Sequence, residues 1–222
     1  MAQYSLLNFD SEGQFVDYAV SEFKTIAQDA IAKRGKFCVA LSGGNTPKIF
    51  YQALAKAEID WSKIHIYWGD ERYVSHSDPS SNLGMAQKNL LFHISIPAAN
   101  IHAIPTQYPD PHEAAKKYEE LITPVQLDLV YLGIGADGHT ASLFPGVSFP
   151  TNTKVSAFFV RQLGVYRISM MPDTINEAKE IRFLVAGPGK KPVLDYITQS
   201  PEPPHRYPCQ LIRSCTILAH GV

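Results

Sequence analysis

The chain has 222 residues, of which 45% are hydrophobic and 18% are charged, a balance typical of a globular protein with a substantial core. A formal net charge of -1 argues against both a nucleic-acid-binding surface and an acidic interaction tail. The three cysteines include no C-x-x-C pair, which argues against a disulfide framework and a zinc site and favours reduced thiols.

Predicted strands and helices alternate through the first 134 residues. A strand at residues 4–9 precedes a long helix, which Ser11 and Gln14 open as a capping box and Gly35 ends. Further strands are predicted at residues 37–41, 64–68, 101–104 and 127–134, and further helices at 81–92 and 111–122. Asp110 and Pro111 are suited to open the last of these helices. Such alternation predicts βαβ units and an α/β fold with a mostly parallel sheet flanked by helices.

The second half of the chain is less regular. Strands are predicted at residues 155–160, 165–170, 181–185 and 215–219, and short helices at 174–179 and 192–198. Residues 200–208 contain four prolines and are predicted to form a loop. We therefore expect a small additional β-rich region in this half, within a single domain that spans residues 1–222.

A glycine turn follows the predicted strand at residues 37–41. It reads Ser42-Gly43-Gly44-Asn45-Thr46-Pro47, in which Thr46 is a good helix N-cap and Pro47 suits a first helical turn. The unpaired N–H groups and positive dipole of a helix N-terminus favour phosphate binding. The turn is therefore a candidate phosphate site, although two-glycine turns before helices are common in α/β proteins.

The segment of residues 127–146 is the strongest candidate for chemistry. An apolar strand leads into a turn that contains Gly133, Gly135 and Gly138, and His139 then stands at the start of a possible short helix. Ligands of parallel sheets bind beyond the carboxyl ends of the strands. Because the pKa of histidine is close to neutral, His139 is suited to take a proton from water and return it to a leaving group. The alternative is a glycine-rich turn in which the histidine only hydrogen-bonds the loop.

Three motifs of this chain resemble those of the 6-phosphogluconolactonase family. Residues 133–145, Gly-Ile-Gly-Ala-Asp-Gly-His-Thr-Ala-Ser-Leu-Phe-Pro, are similar to its main signature. The turn at residues 42–47 and the segment 69–82, with Asp70-Glu71-Arg72 and Ser81-Asn82, resemble two further motifs in the family order. The related glucosamine-6-phosphate deaminases share the Gly-x-Asp-Gly-His core but continue with Ile-Ala-Phe-Asn-Glu-Pro. The resemblance implies a modified Rossmann-like fold.

The resemblance also implies an activity, which is the hydrolysis of 6-phospho-D-glucono-1,5-lactone to 6-phospho-D-gluconate in the oxidative pentose phosphate pathway, without a metal or other cofactor. His139 is then the catalytic base, Asp70 or Asp137 orients its ring, and Arg72 or loop N–H groups face the oxyanion. The residues expected to bind the substrate and its phosphate are Ser42, Gly43, Gly44, Thr46, Arg72, Gly138, Arg167 and Lys190.

Other interpretations of these residues remain. Ser142 lies near His139 but outside a G-x-S-x-G elbow, so a covalent mechanism is less favoured than direct attack by water. An isomerase or amino-sugar deaminase would use the same phosphate turn, and a sugar-phosphate sensor would bind without turnover. No leader or membrane span is recognised, so we expect a cytoplasmic protein whose partner is a small-molecule substrate and not nucleic acid or a membrane.

Overall fold

The computed structural model describes residues 4–199 and 206–222. The strands are β1 (Tyr4–Phe9), β2 (Phe37–Leu41), β3 (Ile64–Trp68), β4 (Asp70–Arg72), β5 (Leu129–Leu132), β6 (Val155–Val160), β7 (Val165–Met170), β8 (Glu180–Ala186) and β9 (Cys215–His220). The α-helices are α1 (Glu12–Arg34), α2 (Asn45–Leu54), α3 (Asn82–Asn89), α4 (Pro111–Ile122), α5 (Pro172–Asn176) and α6 (Lys191–Gln199). None of the helices in these two ranges has the length and apolarity needed to cross a membrane.

Six strands form one parallel sheet in the order β1-β9-β8-β5-β2-β3. Every residue of β2 and of β5 is buried, as expected for central strands covered on both faces. The chain runs from β2 outward to β3 and then returns to β5 on the other side of β2. Ligands of doubly wound sheets bind at such a reversal, so the carboxyl ends of β2 and β5 are the expected position of the site.

The remaining strands form a small antiparallel sheet in the order β4-β7-β6. The chain leaves the parallel sheet at Gly69 and immediately enters β4, in which Asp70 pairs with Ser169 and Arg72 pairs with Arg167. The expectation of a small β-rich region in the second half is thus met, with one additional strand from the first half. Asp70 and Glu71 are 5% and 1% exposed, so the two carboxylates of this charged segment are buried and not solvated.

The predicted ends of the longest helix are confirmed. The Ser11 hydroxyl accepts a hydrogen bond from the N–H of Gln14 at 3.2 Å, and Gly35 closes α1 in the left-handed region with φ 78°. Asp110 caps α4 in the same way, through the N–H of His112 at 3.1 Å. These ends depend on contacts within one helical turn, which explains why the local sequence suffices.

Several other boundaries differ from prediction. Gly44, with φ 109°, is the N-cap of α2 in place of Thr46, because a glycine adopts this conformation freely and starts the helix earlier. Residues 139–144 form a tight turn and not a helix, and residues 101–104 contribute only a bridge from Ile101 to Ile66. The strand predicted at 127–134 is shortened to β5, and the helix predicted at 81–92 ends at Asn89. The helix predicted at 174–179 is α5, which begins at Pro172 and ends at Asn176. The predicted loop at 200–208 lies mostly outside the described residues.

Two histidines face each other at the open edge of the parallel sheet. Nδ1 of His65 in β3 lies 3.1 Å from Nε2 of His102, and the ring of Tyr67 also stacks on His102 with centroids 4.4 Å apart. Burial lowers the pKa of both histidines below the ordinary value of 6.5. The charge of Lys36 acts in the same direction on both, and that of His65 on His102. The folded protein therefore favours the neutral pair.

We expect this pair to make the free energy of unfolding fall as the pH decreases below about 6.5, because the unfolded chain then binds more protons than the folded one. Urea denaturation of the wild type and of a His65→Asn/His102→Asn double variant at pH 7.5 and pH 5 measures the effect. The double variant should depend less on pH. A dependence as steep as that of the wild type would contradict the expectation.

Candidate active site

The carboxyl ends of β8, β5, β2 and β3, four adjacent strands, meet at a cavity of about 560 Å³. The tertiary structure brings ten of the predicted site residues to its wall although they are distributed over 149 positions of the chain, from 42 to 190. They are Ser42, Gly43, Gly44, Thr46, Asp70, Arg72, Asp137, His139, Arg167 and Lys190.

The His139 imidazole and the Asp137 carboxylate form a hydrogen-bonded pair. Nδ1 of His139 lies 2.6 Å from Oδ1 of Asp137, and the same oxygen accepts the N–H of His139 at 3.2 Å. Partial burial acts to raise the pKa of Asp137, but the hydrogen bonds and charge of His139 outweigh it, so this pKa lies below its usual value. The ionised carboxylate favours a proton on Nδ1, which leaves the lone pair of Nε2 for a ligand.

Glycine at position 135 is required by this pair. A Cβ at Gly135 would lie 2.1 Å from Nδ1 of His139 and 2.4 Å from Oδ1 of Asp137. The N–H of Gly135 donates to the carbonyl of His139 at 2.8 Å, which closes the loop around the carboxylate. The backbone thus approaches the imidazole more closely than any residue with a side chain allows.

A tight turn places an aromatic ring against the imidazole. The N–H of Leu143 donates to the carbonyl of Thr140 at 2.8 Å, and Ala141 in this turn has φ 47°, an uncommon value for a residue other than glycine. The turn brings the ring of Phe144 to 4.5 Å from that of His139, with an interplanar angle of 27°. Cζ of Arg167 lies 5.7 Å from the same ring, so Phe144 contacts both cavity residues.

The glycine turn after β2 points the N-terminus of α2 at the cavity. The hydroxyl of Tyr51 accepts the N–H of Ser42 at 3.0 Å and donates to its carbonyl at 2.8 Å, which fixes the start of the turn. The first i-to-i+4 bond of α2 runs from the N–H of Lys48 to the carbonyl of Gly44. The N–H groups before that of Lys48 have no acceptor within the helix, as at any helix start. The buried hydroxyl of Ser42 also has no partner among the described residues.

Two arginines lie opposite each other on neighbouring strands of the small sheet. Arg72 of β4 and Arg167 of β7 are cross-strand partners, and both line the cavity. Burial lowers the pKa of Arg167; the nearby charge of Asp70 raises it and that of Arg72 lowers it further. Nε of each arginine is buried without a partner in the described part of the chain. Like charges in this position are unfavourable unless an anion lies between or beside them.

Asp70 does not contact His139. Its carboxylate accepts the hydroxyl of Ser142 at 2.5 Å and lies 3.9 Å from Nη1 of Arg167. Of the two carboxylates considered from the sequence as orienting groups for His139, the structure therefore pairs Asp137 with the ring. Ser142 is fully buried and bonded to Asp70, an arrangement that does not suit a nucleophile facing the cavity.

Gly138 and Lys190 have different relations to the cavity. A Cβ at Gly138 would lie 2.3 Å from the ring of Tyr207, and its carbonyl accepts the N–H of Cys209 at 3.0 Å, so this glycine supports the loop from behind. Lys190 ends the short 3-10 helix Pro188–Lys190 after β8 and lines the cavity. Lys190 is thus placed to meet a ligand, whereas Gly138 is placed to hold the loop.

Three residues that support this site, Tyr51, Glu71 and Phe144, were not predicted individually from the sequence. Tyr51 and Phe144 are apolar positions that any hydrophobic pattern assigns to the core, and Glu71 was named only within a motif. Tyr51 and Glu71 have partners nine or more residues away, and the contact of Phe144 with His139 depends on a turn, so the local sequence does not mark these contacts. In residues 4–199 and 206–222, no three His, Cys, Asp or Glu side chains are grouped so as to hold a metal ion.

Known proteins resemble this chain in sequence and in fold. Residues 10–218 match the family model described as glucosamine-6-phosphate isomerases/6-phosphogluconolactonase. A 6-phosphogluconolactonase from Synechocystis sp. is 44% identical over 193 residues, which cover 83% of this chain and 80% of that protein. One from Nostoc sp. is 40% identical over the same shares of the two chains. The crystal structure of the 6-phosphogluconolactonase from Thermotoga maritima, 28% identical, superimposes with a TM-score of 0.89 over 99% of this chain and 100% of that one. The chain therefore belongs to the glucosamine-6-phosphate isomerase/6-phosphogluconolactonase family.

Proposed function

We propose that this protein hydrolyses 6-phospho-D-glucono-1,5-lactone to 6-phospho-D-gluconate. The observation that carries the proposal is the His139–Asp137 pair, with Nδ1 and Oδ1 2.6 Å apart, on the wall of a cavity that also holds Arg72, Arg167 and Lys190. A base beside a cluster of cations suits an anionic ester substrate. The identity to relatives named 6-phosphogluconolactonase supports the choice of this lactone.

In the proposed reaction, Nε2 of His139 takes a proton from water while the water oxygen attacks C1 of the lactone. The carbonyl oxygen becomes an oxyanion, which the guanidinium of Arg72 faces. The bond from C1 to the ring oxygen then breaks, and the imidazolium returns its proton to that oxygen. Asp137 holds the ring and stabilises the imidazolium. The step is a hydrolysis without a change of oxidation state: water supplies the proton that His139 passes to the ring oxygen, and the carboxylic acid formed at C1 then releases a proton to the solvent.

The substrate phosphate is proposed to lie between the start of α2 and the cations of the opposite wall. N–H groups of Gly44, Asn45 and Thr46, together with the unpartnered hydroxyl of Ser42, provide donors on one side. Arg167 and Lys190 provide charge on the other. Binding the phosphate there would relieve the repulsion between Arg72 and Arg167, which gives the anion a direct energetic role in organising the site.

We expect the protein to accelerate the decay of freshly generated 6-phosphogluconolactone over buffer at mildly acidic pH, where spontaneous hydrolysis is slow. Glucono-1,5-lactone, which lacks the phosphate, should react with a kcat/KM about 10²–10⁴-fold lower, because two hydrogen bonds to charged groups contribute about 1.5–3 kcal/mol each. The decay of the lactone is measured through the protons that it releases in weak buffer.

Equal decay with folded protein and with buffer would refute the proposed activity. Release of ammonia from glucosamine 6-phosphate would replace it with the deaminase alternative. Tight binding of 6-phosphogluconate without any turnover would favour the sensor alternative.

A further inference from the structure

The side-chain amide of Asn82, the first residue of α3, lies between the carboxylate of Asp70 and the guanidinium of Arg72, at the two ends of β4. Its Nδ2 donates to the main-chain oxygen of Asp70 at 2.8 Å and to Oδ1 of the same residue at 3.2 Å. Its Oδ1 accepts a hydrogen bond from Nη1 of Arg72 at 2.6 Å. An amide has a donor end and an acceptor end, so it matches a carboxylate on one side and a guanidinium on the other.

Other side chains of similar size lack this pair of contacts. An aspartate at position 82 would keep an acceptor for Arg72 but would face the carboxylate of Asp70, and a leucine would leave both charged groups without their partner. Asn82 is only 1% exposed, so water cannot replace these bonds. A Cβ at Gly43 would lie 1.8 Å from Oδ1 of Asn82, which shows that the proposed phosphate turn packs directly on this amide.

Glu71 fixes the position of Asn82 relative to Arg72. Its Oε1 accepts the N–H groups of Arg72 at 2.8 Å and of Asn82 at 2.7 Å. Its Oε2 accepts the N–H of Leu83 at 2.8 Å and the hydroxyl of Ser81 at 2.9 Å. The buried carboxylate of Glu71 thus links the main chain of Arg72 in β4 to the main chain of Asn82 at the start of α3.

The contacts of Arg72 leave part of its guanidinium for a ligand. Nη1 is held by Oδ1 of Asn82 and by the carbonyl of Ser80, at 2.7 Å, whereas Nε is buried with no partner among the residues described. Without Asn82, the long side chain of Arg72 would be free to turn toward Asp70. The direction of Arg72 therefore depends on this amide together with the carbonyl of Ser80.

We propose that Asn82 is a positioning residue: its amide holds the guanidinium of Arg72 toward the cavity and keeps it apart from Asp70. The role rests on the proposed lactone hydrolysis, in which Arg72 faces the oxyanion. Asn82 acts through Arg72, so its contribution to the rate exists only while Arg72 is present.

A double-mutant cycle tests the role. We expect Asn82→Leu to lower kcat for 6-phosphogluconolactone about 10- to 100-fold, less than or equal to the effect of removing a direct oxyanion donor. In the Arg72→Gln background, Asn82→Leu should cause no further loss, because residues that act as a unit are not additive. Asn89→Leu is the matched control at the other end of α3, outside the cavity, and should leave kcat unchanged.

Losses that multiply in the double variant would overturn the proposal and leave Asn82 with a merely structural role. Thermal unfolding of each variant shows whether it is folded at the assay temperature. If Asn82→Leu is not folded, the isosteric Asn82→Asp carries the test, since it keeps the acceptor for Arg72 and should retain more of kcat than Arg72→Gln. A loss as large as that of Arg72→Gln would overturn the proposal.

Failure of the proposed function is recognised separately. If the wild type does not accelerate lactone decay, the hydrolase proposal fails, and the same four proteins of the cycle are compared by calorimetric titration with 6-phosphogluconate. Non-additive losses of affinity in that titration support the positioning of Arg72 by Asn82. Additive losses overturn it.

Discussion

Replacing His139 with asparagine is expected to lower kcat for 6-phosphogluconolactone about 10²–10⁴-fold, the usual contribution of a positioned acid-base group. Asparagine keeps much of the volume beside Phe144, whose ring lies 4.5 Å from that of His139, but cannot accept the proton of the attacking water. The cations and the start of α2 are untouched, so the affinity for 6-phosphogluconate should persist. Steady-state kinetics and calorimetric titration measure the two quantities.

His93→Asn provides the control, because His93 is an exposed histidine outside the cavity. It should retain the wild-type kcat. If the His139→Asn enzyme is as fast as the wild type, His139 does not act as the base, and other groups of the cavity wall become the candidates.

Adding one methyl group at Gly135 is expected to lower kcat to a degree similar to that of replacing His139 with asparagine. A Cβ there would lie 2.1 Å from Nδ1 and 2.4 Å from Cε1 of His139, distances at which the imidazole must move. Gly135→Ala should therefore separate His139 from Asp137 and lower kcat about 10²-fold or more, since a displacement of about 1 Å at a reacting group has this cost. The catalytic side chains themselves remain present.

Gly69→Ala is the matched control for the added methyl. Gly69 lies at the same edge of the sheet, but a Cβ there would meet no atom closer than 3.8 Å. Both variants should unfold at similar temperatures, whereas only Gly135→Ala should lose activity. Full activity of a folded Gly135→Ala protein would mean that the geometry of the pair is not needed for the rate.

Much of the fold was predictable because its signals are local. The buried strands β2 and β5 are continuous apolar segments, and the ends of α1 are set by Ser11 and Gly35 within one helical turn of the chain. At two places where the prediction was wrong, a conformation peculiar to one residue was responsible. Gly44 adopts φ 109° and starts α2 before Thr46, and the turn at Ala141, with φ 47°, replaces the helix expected after His139.

The candidate site was predictable to the level of residue types at strand ends. His139, Ser42 and Lys190 each follow a strand whose pattern is evident from the sequence, and parallel strands bring their carboxyl ends to one edge. The motifs that resemble the lactonase family supplied the remaining candidates. Their positions on the cavity wall, with the exception of Gly138, agree with the expectation that these residues gather around one ligand.

The sequence by itself determined most of the strands and helices along the chain, the glycine turns and the position of His139 at a strand end, since each depends on neighbours within a few residues. Only the tertiary structure decided which charges meet. Asp70 accepts a hydrogen bond from Ser142, which is 72 residues away. Arg72 lies opposite Arg167 because of the register of β4 on β7. The pairing of strands distant in sequence fixes these contacts, and a shift of one residue would turn each side chain to the opposite face of the sheet.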